Sequence, residues 1–284
     1  MKQDLKKLLL KLDANSNNPY RSTIEAAVER SILNKKPIQL LLFTCSTIQA
    51  NKLFSKKPWE YVCLDPSGNN LESDLPKLRA MLTILNQAHS VEVTIIIGNT
   101  DPYYIYLQQF NRFPAEDRDP IWRRFKERWD AYRRALASWV KQELPDTDVT
   151  VQSWFELEKE LEERWTTSFE NEFNEIYQNL NSYFSQDDLD WEFRQLTQQF
   201  GPGKYFASLT QPEDSLLRDW VRRKFAEYAL QGAWLARQFP DATLIQNEKP
   251  SDLRSKMYQP VLQERERRDL PIIYPFGVDN QGYA

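Results

Sequence analysis

Histidine, cysteine and glycine are the residues that this 284-residue chain has little of. Its single histidine, His89, excludes a metal cage of several histidines and a two-histidine relay, since each needs imidazoles that are absent. The 7 glycines, set against 9 Trp, 15 Phe and 13 Tyr, argue against a glycine-turned β-sandwich. The composition therefore predicts a helix-rich protein with aromatic packing and no metal site.

Cysteine and long apolar runs are also scarce. Cys45 and Cys63 both lie in apolar runs typical of buried strands, where a free thiol behaves as a small hydrophobe. This pattern favours a reducing compartment over a disulfide framework. About 18 consecutive apolar residues occur nowhere, and residues 1–12 lack the cleavage site of a secretory signal. We expect a cytoplasmic protein with no membrane partner.

The net charge limits how the protein could bind nucleic acid, and the chain length limits the number of domains. The formal net charge of −4 gives the molecule no overall attraction for nucleic acid, so such binding requires a local basic surface. A chain of this length with 41% hydrophobic residues can bury a full core and lies near the upper size limit of one domain. We therefore expect a single domain over residues 1–284.

Short apolar runs alternate with helical patterns in the first half of the chain. Residues 37–44, 61–64 and 91–97 are typical of buried strands, and residues 74–87 carry leucines at helical spacing. This alternation predicts an α/β fold, with a doubly wound, mainly parallel sheet and helices on both faces. Such sheets bind ligands at the carboxyl ends of their strands, so the turns after residues 44 and 97 are expected to share a cleft.

The second half of the chain is rich in helical patterns. We expect the helices within about 112–210 to form an insertion in the single domain. A capping-box pattern begins at Thr210 and predicts a long helix to about residue 239. The other predicted elements are helices over 119–143, 155–184 and 189–200 and strands over 149–151, 242–246 and 271–274.

A polar turn with nucleophilic side chains follows the first predicted strand. Ser46 is the candidate nucleophile, because it lies where an α/β enzyme exposes a side chain to its ligand. The alternative is that Ser46 or Thr47 caps the next helix, a common role of serine and threonine. Cys45 has no obvious histidine partner to activate its thiol, so core packing is its expected role.

The turn after the strand at 91–97 offers further groups to the same cleft. Asp101 and Tyr104 follow this strand within a few residues. Asp101 followed by Pro102 is also the pattern of a helix cap with proline in the first turn, and both interpretations stay open. Asp101 as an acid or base is the basis of one functional hypothesis, an enzyme that acts on small molecules.

A basic helix with interleaved aromatic residues is predicted after Asp119. Its broad positive surface suits phosphate binding, and the aromatic side chains suit stacking on nucleotides. The alternative is a solvated face whose cations pair with acidic neighbours such as Glu127 and Asp130. The cations assigned to nucleic-acid binding are Arg123, Arg124, Lys126, Arg128, Arg133 and Arg134.

Carboxylate, phenol and amide groups gather in the last third of the chain, after a second basic cluster at residues 218–224. Glu227 and Tyr228 follow that cluster, and Glu248 and Tyr258 follow the next predicted strand. Such groups near strand ends can hold an amine and relay its proton. The sequence contains no phosphate-binding loop, dinucleotide fingerprint, zinc-protease motif or paired-cysteine motif, so ATP-driven, dinucleotide-dependent and structural-zinc functions lack support.

Taken in order, these segments resemble the tRNA-dependent cyclodipeptide synthases. The matching features are the serine turn at Ser46, the basic mid-chain helix, the Trp-bearing stretch Ser153 to Leu157, the Asp-rich turn before Phe193 and Arg194, and the helix with Tyr228. The resemblance implies a Rossmann-like fold and an enzyme that takes two aminoacyl-tRNAs. Such an enzyme moves the first aminoacyl group onto the serine and forms a cyclic dipeptide. It implies no cofactor, because neither ATP nor a metal is used.

The resemblance also assigns roles to residues of this chain. Ser46 is the acyl-accepting nucleophile, Tyr228 helps to hold the aminoacyl amine, and the basic helix binds the acceptor stem of tRNA. The residues expected to contact substrate are Gln49, Asp101, Tyr104 and Tyr258.

The chain departs from the family pattern at two places. It has Thr47, Ile48 and Gln49 after the serine, where the family has Pro, any residue and Asn. Four residues after Tyr228 it has Gly232 where the family has glutamate, so Glu227 or Glu248 is expected to supply the carboxylate. The alternative function is a non-catalytic Rossmann-like protein that binds a nucleotide or RNA.

Overall fold

Five parallel strands form one sheet in the computed structural model, which describes residues 7, 18–45, 74–98, 133–134, 136–198, 200–202, 211, 213–245 and 256–273. The strands are β1 (Ile38–Cys45), β2 (Val91–Gly98), β3 (Asp148–Ser153), β4 (Thr243–Ile245) and β5 (Ile272–Ile273). Their order across the sheet is β3-β2-β1-β4-β5, and every described pairing is parallel.

The strand order makes β1 the centre of the sheet. The chain builds outward from β1 through β2 to β3, then returns to the other side of β1 with β4 and β5. The direction of winding therefore reverses between β1 and β4, which is the switch point of a doubly wound sheet. The predicted α/β fold, with a Rossmann-like parallel sheet, is confirmed.

Aliphatic side chains cover one face of the sheet, which we call the aliphatic face. It packs against α1 (Arg21–Leu33), α2 (Asp74–Asn86) and the helical residues 136–143, here α3. Leucine, isoleucine and valine dominate its buried core. The core residues include Ile24, Val28, Leu40, Leu42, Leu78, Leu82, Val93, Ile95 and Leu136.

Aromatic side chains are concentrated on the opposite, aromatic face. Its helices are α4 (Trp154–Trp165), α5 (Phe169–Gln178), α6 (Gln186–Gln198), α7 (Asp214–Gln238) and α8 (Pro260–Glu266), with a 3-10 turn at Leu180–Ser182. The core residues of this face include Leu41, Ile96, Trp154, Phe169, Trp220, Phe225, Tyr228, Trp234, Leu244 and Tyr258. Helices on both faces of a parallel sheet explain why the central strands β1 and β2 are largely apolar runs.

The helical stretch predicted over 155–184 is divided in the structure. Thr166 ends α4 in the left-handed conformation, with φ of 51°. Ser168 then starts α5, and its side chain accepts a hydrogen bond from the backbone N–H of Asn171. Ser153 caps α4 in the same way, in a reciprocal capping box with Glu156. The chain therefore changes direction between α4 and α5, so both helices can pack on the aromatic face, whereas one continuous helix would extend beyond the sheet.

The predicted start of α7 is wrong. Its N-cap residue is Glu213, which makes no side-chain cap hydrogen bond, so the helix begins three residues later than the predicted capping box places it; Thr210 lies outside the described residues. The strand predicted at 61–64 and the part of the basic helix from 119 to 132 lie outside the described residues. The insertion at about 112–210 stays a prediction, and β3 within that range is an edge strand of the sheet. None of the helices in the described ranges combines the length and apolar character that a membrane span requires.

Candidate functional site

The carboxyl ends of β1 and β4 border the switch point. Leu42 of β1 pairs with Ile245 at the end of β4, and β1 then continues to Cys45. Ser46 follows β1 directly in the chain, and Glu248 follows β4 after a short interval. Two of the catalytic candidates thus follow the two strands between which ligands of doubly wound sheets bind.

Many of the predicted site residues lie outside the described residues. They are Ser46, Gln49, Asp101, Tyr104, Arg123, Arg124, Lys126, Arg128 and Glu248. The structure describes Arg133, Arg134, Glu227, Tyr228 and Tyr258.

A chain of aromatic contacts connects β1 with α7. Phe43, near the carboxyl end of β1, has its ring centroid 6.3 Å from that of Tyr258. The ring of Tyr258 in turn lies 5.3 Å from that of Tyr228 on α7. Phe43 also contacts Trp154, the first residue of α4, and the centroids of these two rings are 6.2 Å apart. The structure therefore brings Tyr228 and Tyr258 together and connects both with the end of the central strand.

Gly232 is the point of closest approach between α7 and Tyr258. A Cβ atom at position 232 would lie 2.2 Å from the carbonyl oxygen of Tyr258 and 2.7 Å from its Cα. Because both atoms belong to the backbone, they cannot move aside as a flexible side chain would. The space that a glutamate side chain would occupy at this position is therefore filled by the main chain of Tyr258.

Glu227 places a carboxylate on the same helix as Tyr228. Its side chain is buried, and its Oε1 atom accepts a hydrogen bond of 3.0 Å from Nε2 of Gln231, which is also buried. A buried carboxylate is costly unless it is hydrogen-bonded, so Gln231 stabilises it. Gln231 was not predicted as a site residue, although a polar pair four residues apart in an otherwise apolar helix stretch is a usable signal in the sequence.

Lys224 and Glu192 form a buried ion pair between α7 and α6. The Nζ atom of Lys224 lies 2.8 Å from Oε1 of Glu192, and the two side chains are 2% and 3% exposed. The same Nζ atom lies 5.2 Å from the ring centroid of Trp220 and 5.8 Å from that of Tyr228. Lys224 was predicted as part of the second basic cluster, and Glu192 was not singled out. The structure buries both and places Lys224 close to the ring of Tyr228.

The rest of the second basic cluster is matched by acidic and aromatic partners. Arg218 pairs with Asp190 at 2.7 Å, and Arg223 pairs with Asp219 at 2.8 Å. Burial raises the pKa of Asp219, but hydrogen bonds from Tyr177 and Arg223 outweigh burial and lower the pKa below its usual range. This side of α7 is thus occupied by contacts within the protein.

The two described cations of the first basic helix differ in environment. Arg133 forms an ion pair with Glu156, the partner of Ser153 in the capping box of α4. Burial raises the pKa of Glu156, whereas the hydrogen bonds from Ser153 and the charge of Arg133 lower it, with a net decrease. Arg134 is exposed. Arg133 therefore connects this helix with the start of α4, while Arg134 faces solvent.

Glu158 is a titratable group that the sequence analysis missed. It lies one helical turn after Trp154 on α4 and is half-buried. Burial raises the pKa of Glu158 to about 7, the proximity of the Trp154 indole opposes the increase, and the charge of Glu162 adds to it. A carboxyl group near the carboxyl edge of the sheet therefore titrates close to neutral pH.

The fold and these contacts define a Rossmann-like α/β protein in which Tyr228 and Tyr258 pack against the end of the central strand. No model of a protein family and no curated protein matches the chain. A solved structure described as that of a CDPS, a cyclodipeptide synthase, from Fluoribacter dumoffii is similar to it, with a TM-score of 0.51. The match has 8% sequence identity and covers 83% of this chain and 89% of that one. At this identity the likeness shows a shared fold.

Proposed function

We propose that this protein is an aminoacyltransferase that joins amino acids delivered by aminoacyl-tRNAs, through an aminoacyl ester on Ser46. One observation carries the proposal: the rings of Tyr228 and Tyr258 pack together and connect with Phe43, near the strand end that Ser46 follows. The fold shared with a cyclodipeptide synthase supports the same conclusion. The switch point beside β1 is where a sheet of this kind binds its ligand.

The reaction needs a positioned hydroxyl group and no fuel molecule, because an aminoacyl ester is already activated. The Oγ atom of Ser46 attacks the carbonyl carbon of the ester, and a new ester bond to the serine forms. The bond to the ribose oxygen of the tRNA breaks, and the serine proton passes to that oxygen. The amine of one aminoacyl group then attacks the ester carbonyl of the other, so a peptide bond forms and a hydroxyl group is released.

The other site residues would bind the substrates. Tyr228 holds the aminoacyl amine, and either Glu227 or Glu248 provides its carboxylate, because the main chain of Tyr258 fills the space beside Gly232. Glu227 is already on the helix of Tyr228 and oriented by Gln231. The residues proposed to line the substrate pocket are Gln49, Asp101, Tyr104 and Tyr258, and those proposed to bind the tRNA acceptor stem are Arg123, Arg124, Lys126, Arg128, Arg133 and Arg134.

The burial of the phenols favours a second candidate function. Tyr228 is 6% exposed and Tyr258 is 3% exposed, which is typical of packed core residues. Such burial is what a non-catalytic Rossmann-like protein that binds a nucleotide or RNA would show. A test of Ser46 separates the two candidates.

The proposed function predicts that Ser46→Ala abolishes dipeptide formation. The purified protein is incubated with a mixture of aminoacyl-tRNAs, and the products are identified by mass spectrometry. Thr47→Ala is the matched control, because it removes the neighbouring hydroxyl group and should keep the activity. Far-UV circular dichroism checks that both variants fold. Dipeptide formation by Ser46→Ala would exclude Ser46 as the nucleophile. If the wild-type protein binds RNA but forms no dipeptide, the result would support the non-catalytic binding protein.

A further inference from the structure

The Lys224–Glu192 ion pair lies next to Tyr228, a residue of the proposed site. The N–O distance is 2.8 Å, and both side chains are almost fully buried. Atom Oε2 of Glu192 has no hydrogen-bond partner within the described part of the chain, so Lys224 is the group that this carboxylate binds there. Glu192 thus fixes the position of the ammonium group of Lys224.

The ammonium group lies between two aromatic rings on its own helix. Trp220 is one turn before Lys224 and Tyr228 one turn after it, with Nζ-to-centroid distances of 5.2 and 5.8 Å. A cation within about 6 Å of a ring centroid attracts the ring electrostatically, and more strongly when water is excluded. The ring of Tyr228 also packs against Tyr258. Both contacts restrict the orientation of the Tyr228 ring.

We infer that Glu192 is a positioning residue, which orients Tyr228 through Lys224. The inference rests on the proposed function, in which Tyr228 holds the aminoacyl amine. Its physical basis is the line of contacts from the Glu192 carboxylate to the Lys224 ammonium group and on to the Tyr228 ring. An acyl transfer is sensitive to such orientation, because a displacement of about 1 Å can reduce the rate on the order of a hundredfold.

A stabilising role alone is a weaker explanation of the pair. Removing two charges from water is costly, and well-packed apolar residues often stabilise a protein as well as a buried ion pair does. The same two helices are also joined by Asp190 and Arg218, at 2.7 Å, with side chains 33% and 49% exposed. That pair connects the helices near the surface without desolvation. It provides a matched control for the buried pair.

The test compares Glu192→Gln with Asp190→Asn in the full chain. Tyrosine rings are labelled with ¹³C, and the Tyr228 resonance is identified by its absence in Tyr228→Phe. We expect Glu192→Gln to shift the Tyr228 resonance and to reduce kcat on the order of tenfold or more, with little change in KM for aminoacyl-tRNA. Asp190→Asn should leave the resonance and both kinetic constants unchanged.

An unshifted Tyr228 resonance in Glu192→Gln would overturn the inference, and so would an equal shift in Asp190→Asn. A shifted resonance with unchanged kcat would overturn the role in the reaction. If the wild-type protein forms no dipeptide, the proposed function fails, and the resonance still decides whether Glu192 positions Tyr228. Should Glu192→Gln not fold, the double variant Glu192→Gln/Lys224→Met removes both charges and keeps the test valid. A wild-type resonance position in that folded variant would also overturn the inference.

Discussion

The two faces of the sheet are built from different side chains. The aliphatic face is packed with leucine, isoleucine and valine from its strands and helices, whereas the aromatic face also contains tryptophan, phenylalanine and tyrosine. The charged side chains that are buried within the described ranges are Glu192, Lys224 and Glu227, and they belong to helices of the aromatic face. The comparison teaches that one face provides ordinary hydrophobic stability, while the other combines stability with the groups proposed for chemistry.

The central strand contributes to both faces through neighbouring residues. Leu40 packs in the core of the aliphatic face and Leu41 in that of the aromatic face, and each is 1% exposed. Successive side chains of a strand point to opposite faces. Substitutions of Leu40 and Leu41 therefore test the two cores at positions of equal burial.

The largest expected effect comes from truncating these two leucines. Leu40→Ala and Leu41→Ala should each lower the free energy of unfolding by about 2–5 kcal/mol, because each leaves a cavity in a packed core. Leu41→Ala should also change the near-UV circular dichroism more than Leu40→Ala does, since it loosens the face that holds the buried tryptophans, whereas the partly buried Trp139 packs on the aliphatic face. Urea unfolding and near-UV spectra measure the two effects. Equal spectral changes in both variants would show that the faces are not separate.

A smaller effect is expected at Gly232. Gly232→Ala should lower the free energy of unfolding by about 1–3 kcal/mol, because the added Cβ meets the backbone of Tyr258. This loss opposes the gain of about 1 kcal/mol that alanine normally brings to a helix. Gly98→Ala is the comparison, since its Cβ would meet the packed ring of Phe43 and not a backbone atom, so a loss of stability is expected there as well. Thermal unfolding of both variants measures the difference, and a more stable Gly232→Ala protein would contradict the close contact.

The smallest effect is a pH dependence on the aromatic face. The pKa of Glu158 is raised by burial from 4.5 to about 7, so the native state binds a proton that the unfolded state has lost between these values. The stability should therefore decrease as the pH rises through this window, by roughly 1 kcal/mol after screening by solvent.

Urea unfolding at several pH values tests this dependence. Glu158→Gln should remove the decrease, because the amide does not titrate. Glu163→Gln, at an exposed position of the same helix, should keep it. A decrease of the same size in Glu158→Gln would assign the pH dependence to another group.

Much of the fold was predictable from the sequence. The central strands β1 and β2 are continuous apolar runs, because helices bury both of their faces, and such runs are visible in the sequence. The bounds of α2 and the positions of β4 and β5 also follow from local patterns. The division between α4 and α5 was missed, although Ser153 and Ser168 are serine caps of the usual kind.

The candidate site was predictable only in part. Tyr228 and Tyr258 were named from the sequence, and the structure places their rings in contact. The partnership of Lys224 with Glu192 was not predictable, because the two residues lie on different helices and each has the composition of a surface position. The requirement for glycine at position 232 was not predictable either, since it depends on a tertiary contact with Tyr258.

The contact between Gly232 and Tyr258 constrains how this protein can be redesigned or can evolve. A glutamate introduced at position 232 would collide with the main chain of Tyr258, which belongs to a later segment of the chain. The carboxylate could be accommodated only after a second substitution had moved the segment of Tyr258 outward, so neither substitution would be favourable alone. The two segments therefore form an epistatic pair, and a library that varies them together will reach sequences that single-site mutagenesis cannot.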